Sequence, residues 1–215
     1  MRKSSLKGEL INTVFLPANE LWDTSHLVIK VPVRLGLLSY RLLLVNKADM
    51  AKFAKITTLA DLKKLTAGVA SGWETTKVFK KQGIKLVETG YFEGIFSMLN
   101  GHRFDYLPRG IYEIYAELDA RQHLLNDVVV EPTLALNIPM FTYVYVSPKY
   151  PRLANRLGDG LRELLVTGEL KKILYKHYAE DIKRANLKER KIITIENNHY
   201  NQHASDYHDD LLFTQ

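Results

Sequence analysis

The chain contains no cysteine. Disulfides, thiolate metal sites and thiol nucleophiles are therefore excluded, while the redox compartment stays open, because a cysteine-free chain suits either side of a membrane. It also lacks an apolar run of membrane-spanning length: the strongest stretch, Leu35 to Val45, is interrupted by Gly36, Ser39 and Arg41. Arg2 and Lys3 open the chain, but Gly8 and Glu9 arrive before an apolar segment of secretion-signal length can form, so no leader is read. No Ser-His-Asp order, nucleophile elbow or evident acid–base carboxylate pair is found, and no catalytic residue is assigned. His26, His102, His123 and His177 are scattered without ligand spacing. The terminal His199, His203 and His208 with Asp206, Asp209 and Asp210 are suitable ligand types, yet such a tail also reads as a solvated terminus; no metal and no cofactor are expected.

What is present belongs to a soluble globular class: 215 residues, 46% hydrophobic and 25% charged, enough for one full core or two small ones. The net charge of +6 is carried by Lys and Arg interleaved with Asp and Glu, with no recognition helix or stacking motif, so nucleic acid is not an expected partner. From Tyr40 onward, strand and helix patterns alternate, the signature of βα units around a largely parallel sheet. Tyr40 to Val45 reads as a strand. Thr58-Leu59-Ala60-Asp61 opens a helix through Leu65 with a capping-box pattern, and Thr66 to Ala70 is a buried strand. Trp73 to Gln82 is a helix closed by Gly83, Lys85 to Glu88 a strand, Phe92 to Asn100 a helix closed by Gly101, and Phe104 to Leu107 a strand that delivers Asp105 and Arg109 at its end. Ile111 to Gln122 is helical, and Asp127 to Leu136 and Met140 to Val146 are extended. Pro151 starts a helix running to Gly168, a second continues through Tyr178, and Leu187 to Ile195 holds a short helix and strand.

Leu6-Lys7-Gly8-Glu9-Leu10-Ile11-Asn12 repeats the grammar of Leu99-Asn100-Gly101-His102-Arg103-Phe104-Asp105, which implies two similar lobes with the first cut short. Ligands of open α/β sheets bind beyond the carboxyl ends of the strands, so residues there are the site candidates. Arg109 offers a fork for a carboxylate, or else a salt bridge to Glu113 one turn on. Ser71-Gly72-Trp73-Glu74-Thr75-Thr76 joins strand to helix, either as an anion site of free N–H groups or as an ordinary helix start with Trp73 packed on the surface. Trp73 is also a candidate wall for an apolar or cationic ligand part. Asp105 reads as a turn residue, matching Asn12.

Ile56-Thr57-Thr58-Leu59-Ala60-Asp61-Leu62, Met98 to Asp105, and the helices of Tyr150 to Tyr178 around Gly168 together resemble extracellular solute-binding proteins of the amino-acid type, solute-binding family 3, with the periplasmic-binding-protein-like type II fold. Gly36 to Arg41, Gly72-Trp73 and Arg103 to Gly110 are similar to a poorly characterised bacterial subgroup of substrate-binding proteins. The resemblance implies two lobes of parallel-rich sheet with helices on both faces, closing on a polar solute. It places a remnant of lobe one at 1–37, a complete lobe two at 38–139, a return to lobe one at 140–196 and a polar tail at 197–215. It implies an N-terminal truncation that impairs capture, a permease of an ABC-type transporter as partner, a monomer, and a periplasmic location, or a cytoplasmic one if Met1 is the true start. Family members commonly carry an acidic residue for a ligand ammonium just past the strand holding Arg109; here that position is Gly110. Asn19, Glu20 and Trp22 match no family site in lobe one. The ligand-binding expectation is therefore Arg109, Gly72, Trp73, Ser71, Thr75 and Gly110, serving non-catalytic capture of an amino-acid-like or anionic solute. A ligand-sensing regulatory module is the second reading, and a dehydratase-like enzyme on the same fold the third.

Overall fold

A computed structural model of the chain describes residues 11–198 and 213. They divide into two compact units. The first holds residues up to 38, residues 140–179, residue 198 and residue 213; the second holds residues 39–139 and 180–197.

In chain order, the first unit opens with β1 (Thr13–Pro17), α1 (Glu20–Ser25) and β2 (Leu27–Ile29). The second supplies β3 (Tyr40–Asn46), α2 (Met50–Phe53), α3 (Leu59–Leu62), β4 (Thr66–Ala70), α4 (Glu74–Lys81), β5 (Lys85–Thr89), α5 (Phe92–Asn100), β6 (Tyr106–Gly110), α6 (Ile111–Asp119), β7 (Val128–Val130) and β8 (Leu134–Asn137). The chain then contributes β9 (Thr142–Val146) and α7 (Pro151–Val166) to the first unit. It passes from the first unit to the second within α8 (Glu169–Ala185) and ends its described elements with β10 (Lys191–Thr194) in the second.

The sheet of the second unit runs β10-β8-β3-β6-β4-β5, with β7 also paired to β3. Strands β6, β4 and β5 are mutually parallel, as are β10 and β8, while β3 runs antiparallel to β6, β7 and β8. Two-faced burial explains the Leu42-Leu43-Leu44-Val45 run of β3: all four are inaccessible to solvent, as expected of a strand covered on both sides. Helix faces complete the core with Phe79 from α4, Ile95 and Leu99 from α5, and Ile111 and Ile114 from α6. Capping fixes where α3 begins, because the Thr58 hydroxyl accepts from the Asp61 N–H while the Asp61 carboxylate receives the Thr58 N–H.

Four readings of the sequence need correction. The strand placed at Phe104 to Leu107 lies two residues later, with Leu107 opposite Leu44 and Gly110 opposite Arg41. Pro108 argues against a strand interior. Here it is tolerated because β6 meets β4 at Tyr106 opposite Ala67, before the missing N–H falls in the ladder. Asp105 therefore precedes the strand. Its carboxylate accepts from the Thr66 N–H at 2.7 Å and pairs with Lys52, tying the amino ends of β4 and β6 to α2. Second, residues 180–197 pack in the second unit instead of returning with the rest of 140–196, because β10 pairs in register with β8 and Ile193 and Ile195 are buried there. Third, α8 runs on past Tyr178 to Ala185. Fourth, the first unit's sheet, β1-β9-β2, is antiparallel at both pairings where a parallel-rich one was expected: the returning strand β9 lies between β1 and β2 and separates them. Its core is aromatic, with Trp22, Phe141, Tyr143 and Tyr145 packed on Leu16. In the expected polar tail, Phe213 is buried and its N–H donates to the Leu35 carbonyl; the six tail His and Asp named above lie outside the described residues, as do Leu6 to Leu10 of the repeated grammar.

Two substitutions test this packing. A Cβ at Gly68 would overlap the Phe104 ring, so Gly68→Ala should cost about 1–3 kcal/mol of stability by denaturant titration. The Tyr106 hydroxyl is buried with no hydrogen-bond partner among the described residues, and burial, then the nearby Asp105 charge, pushes its pKa well up. A raised folded pKa means the contribution is intact below the unfolded value of about 10 and is lost as pH rises above it. Tyr106→Phe should accordingly be neutral or stabilising by up to about 1 kcal/mol at pH 7 and should lose less stability than wild type between pH 9 and pH 11 in the same titration, where ~10 is the ordinary tyrosine value.

Candidate functional site

The carboxyl edge of the parallel strands in the second unit brings together segments that are far apart in sequence. After β4, the Ser71 N–H still donates to the Thr89 carbonyl of β5 at 2.8 Å, and Gly72 then turns the chain with φ of +84°. Only a glycine takes that conformation without strain, and a Cβ at Gly72 would meet open space, so it is the backbone angle that demands glycine there. Trp73 caps α4 through its backbone alone. The Trp73 N–H reaches the Ala70 carbonyl, the Thr76 N–H the Trp73 carbonyl, and the Thr76 hydroxyl the Ala70 carbonyl at 2.9 Å. These bonds lock the turn, and among the described residues the N–H groups of Gly72, Glu74 and Thr75, at the positive end of α4, donate to no main-chain carbonyl outside the helices and strands. Thr75 itself is buried, Ser71 is exposed and Trp73 is half-buried. The first turn also carries a charge of its own, Glu74, which pairs with Lys77 at 2.7 Å.

Arg109 stands one residue before the end of β6 and is not free. Its Nε and Nη2 donate to the two carboxylate oxygens of Glu117 at 2.6 and 2.5 Å, and Nη2 lies 3.2 Å from Glu113 Oε2. The bidentate pair anticipated for a ligand carboxylate is thus made within the chain, with Glu117 two turns along α6 as the main partner and Glu113 the lesser. Burial works against the charge of Arg109, but the Glu117 hydrogen bonds and the two carboxylate charges outweigh it and raise its pKa. Its guanidinium carbon sits 4.5 Å from the Trp73 ring centroid and 5.5 Å from that of Phe92, and the two rings are 6.3 Å apart. Arg109 therefore meets Trp73, another expected site residue, as a support under its ring.

Gly110 begins α6. Its N–H donates to Glu113 Oε2 at 3.0 Å, and at φ of −62° it needs no special conformation. Space is what it supplies: a Cβ would lie about 3.0 Å from Arg41 Nη1 and from Glu113 Oε2. Beside this cluster Arg121 forks onto Glu93 at 2.9 and 2.6 Å and covers Phe96 at 4.1 Å, so Phe92 is held between two guanidinium groups, while Tyr91 stays 68% exposed. Sequence reasoning did not place Glu117, Phe92 or Arg41 at the site. The spacing Arg109, Glu113, Glu117 repeats every four residues and carries the signal for the first of these; Arg41 becomes a neighbour only through strand pairing.

Asp105 is absent from this edge, being fixed at the opposite end of the sheet. Among the described residues no group of three His, Asp or Glu is placed to hold a metal ion, and no helix is long and apolar enough to cross a membrane.

No family model and no curated protein matches the sequence. Solved structures do match the fold. An ancestral arginine-binding protein bound to arginine superposes with a TM-score of 0.59 at 19% identity, covering 81% of this chain and 75% of that one. An amino acid ABC transporter substrate-binding protein from Streptococcus pneumoniae, bound to L-arginine, gives 0.57 at 15% identity over 82% and 71%. A histidine kinase sensor domain with similarity to periplasmic binding proteins gives 0.54 at 16% identity over 81% and 72%. The chain has the α/β fold of the substrate-binding proteins of amino-acid ABC transporters, a fold it also shares with a sensor domain.

Removing one partner of the pair beneath Trp73 should expose its cost. Glu117→Gln leaves a buried Arg109 with only Glu113, and stability should fall by about 2–4 kcal/mol in chemical denaturation. The double change Arg109→Met with Glu117→Leu should recover most of that loss. A Glu117→Gln loss under about 0.5 kcal/mol, the level of an exposed pair, would show that the pair carries no weight.

Proposed function

We propose that this protein is a substrate-binding protein of an ABC-type transport system, which captures a small polar solute, amino-acid-like or anionic, without changing it chemically. One observation carries the reading. At the carboxyl edge of the second unit's sheet, three main-chain N–H groups, those of Gly72, Glu74 and Thr75, stand at a helix N-terminus beside Trp73, whose ring is already backed by the Arg109–Glu117 pair. That is a polar end and a flat apolar wall in one place, on a scaffold rigid enough to hold both. Ser71, Gly72, Trp73 and Thr75 make the contacts, and Gly110 and Arg109 shape the floor. Two of the named solved structures that share the fold are bound to arginine, which supports a solute of similar size and polarity.

A membrane permease is the corresponding partner, the protein acts as a monomer, and the working location is outside the cytoplasmic membrane. A second reading, a ligand-sensing module that converts solute binding into a signal, is favoured by the histidine kinase sensor domain among the structures of this fold. The two share the same capture step and differ in what reads it.

Thermal-shift screening against amino acids, dicarboxylates and polyamines checks the capture step. One class should raise the unfolding midpoint in a saturable way, with stabilisation approaching about 2.7 kcal/mol at a hundred times Kd. Trp73→Ala should weaken that binding roughly tenfold or more, the scale of a stacking contact. A flat response to all three classes would overturn the reading.

A further inference from the structure

Opposite Gly110 in the β3–β6 ladder stands Arg41, a buried cation that the cluster around Arg109 leaves underserved. Arg41 is only 6% exposed. Its side chain hydrogen-bonds that of Tyr112, but its Nη1 lies 3.8 Å from Glu113 Oε2, beyond hydrogen-bond reach, and its buried Nε has no hydrogen-bond partner among the described residues. Glu113 Oε2, the carboxylate oxygen that faces it, has other partners, and so has Glu117. Glu117 is held by Arg109 on both oxygens, and Glu113 Oε2 already caps the Gly110 N–H and leans on Arg109. A charged donor stranded at this depth is costly unless an acceptor arrives. Burial indeed lowers the pKa of Arg41, against the raising influence of Tyr112 and Glu113, with Arg109 adding to the lowering.

The guanidinium occupies the space that any side chain at position 110 would fill, which puts it over the N-cap of the nine-residue helix α6. Two independent attractions for negative charge therefore coincide, the helix N-terminus and an incompletely paired guanidinium. Arg41 and Arg109 are balanced by Glu113 and Glu117, so position at Nε, and not net charge, is what favours an anion.

We propose that Arg41 forms an anion subsite over the start of α6, taking a small oxyanion through its Nε. The inference rests on the solute-binding reading and adds that one end of the solute is an oxyanion. A carboxylate carried by the solute and free inorganic phosphate share this chemistry, so both are probes.

The test follows the arginine Nε–Hε resonances of the intact chain by nuclear magnetic resonance, with Arg41 assigned by through-bond correlation so that no variant has to fold. Titration uses succinate, glutamate, inorganic phosphate and the neutral succinamide. The Arg41 resonance should move saturably with a carboxylate or with phosphate, which names the source, and should ignore succinamide. Arg41→Lys keeps the charge without the Nε donor and should weaken the anion at least tenfold; Gly110→Ala, which intrudes on the guanidinium, should act in the same direction. An unmoved Arg41 resonance while a solute raises the unfolding midpoint would overturn the subsite and leave the solute-binding reading standing. Movement with phosphate alone, with no amino acid or dicarboxylate stabilising the chain, would uphold the subsite and remove the solute reading. No movement with any probe would overturn the subsite.

Discussion

A guanidinium taken almost wholly out of water has to be matched by carboxylate, and the geometry of the second unit's carboxyl edge follows from how Arg109 meets that requirement. Its fork closes on Glu117, two turns along α6, so the strand that carries Arg109 and the helix that follows it are clamped together at a fixed angle. The flat face of the same guanidinium is then free to lie against Trp73 and Phe92, which belong to the starts of α4 and α5. One side chain thus joins three strand-to-helix junctions. An uncharged residue of the same size would fill the space without setting the angle, because only the bidentate pair specifies orientation.

Much of the second unit was legible as pattern. Thr66–Ala70 and Phe92–Asn100 stand where alternation and period placed them, because an apolar strand bounded by a polar turn and a helix ended by Gly101 depend on local chemistry alone. The strand of Arg109 slipped by two residues because Pro108 and Gly110 both argue locally against a strand, and the ladder with β3 that overrides them is a non-local fact. The same limit applied at the edge. Arg109, Gly72 and Trp73 could be named from their positions after strands, but whether Arg109 faces a ligand or a carboxylate of its own chain depends on where Glu117 falls, and that needs the helix in place. The place of Arg41 beside Gly110 was hidden for a stronger reason, since 68 residues of sequence separate the two and only the β3–β6 pairing brings them together.

The two units solve the problem of a returning chain differently. In the second, β3 enters antiparallel and lends both its edges, to β6 on one side and to β7 and β8 on the other, so the parallel trio beyond it is anchored at its β6 edge. In the first, β9 does the equivalent work between β1 and β2, with β2 only three residues long. Short strands offer few ladder bonds, and the burden there moves to aromatic packing: Tyr143 and Tyr145 are fully buried beside Trp22, and the Tyr145 hydroxyl reaches Asp23 at 2.7 Å to avoid an orphaned polar group.

Glycine has opposite meanings at the two junctions of the candidate site, and the difference bears on function. At Gly72 the backbone angle forbids other residues while the space beyond is open, so the main chain itself is presented to whatever approaches. At Gly110 the angle is ordinary and the space is taken by Arg41. The first glycine exposes N–H donors at a helix start; the second admits a cation to one. Both arrangements gather positive potential at the same edge of one sheet, by different means. Glu113 and Glu117 balance the charges of Arg41 and Arg109, and Glu74 adds a negative charge in the first turn of α4. What the edge presents is therefore directed donors and not net charge, and under the proposed reading those donors, at the α4 turn and at Arg41, are what the acceptor groups of a solute would meet.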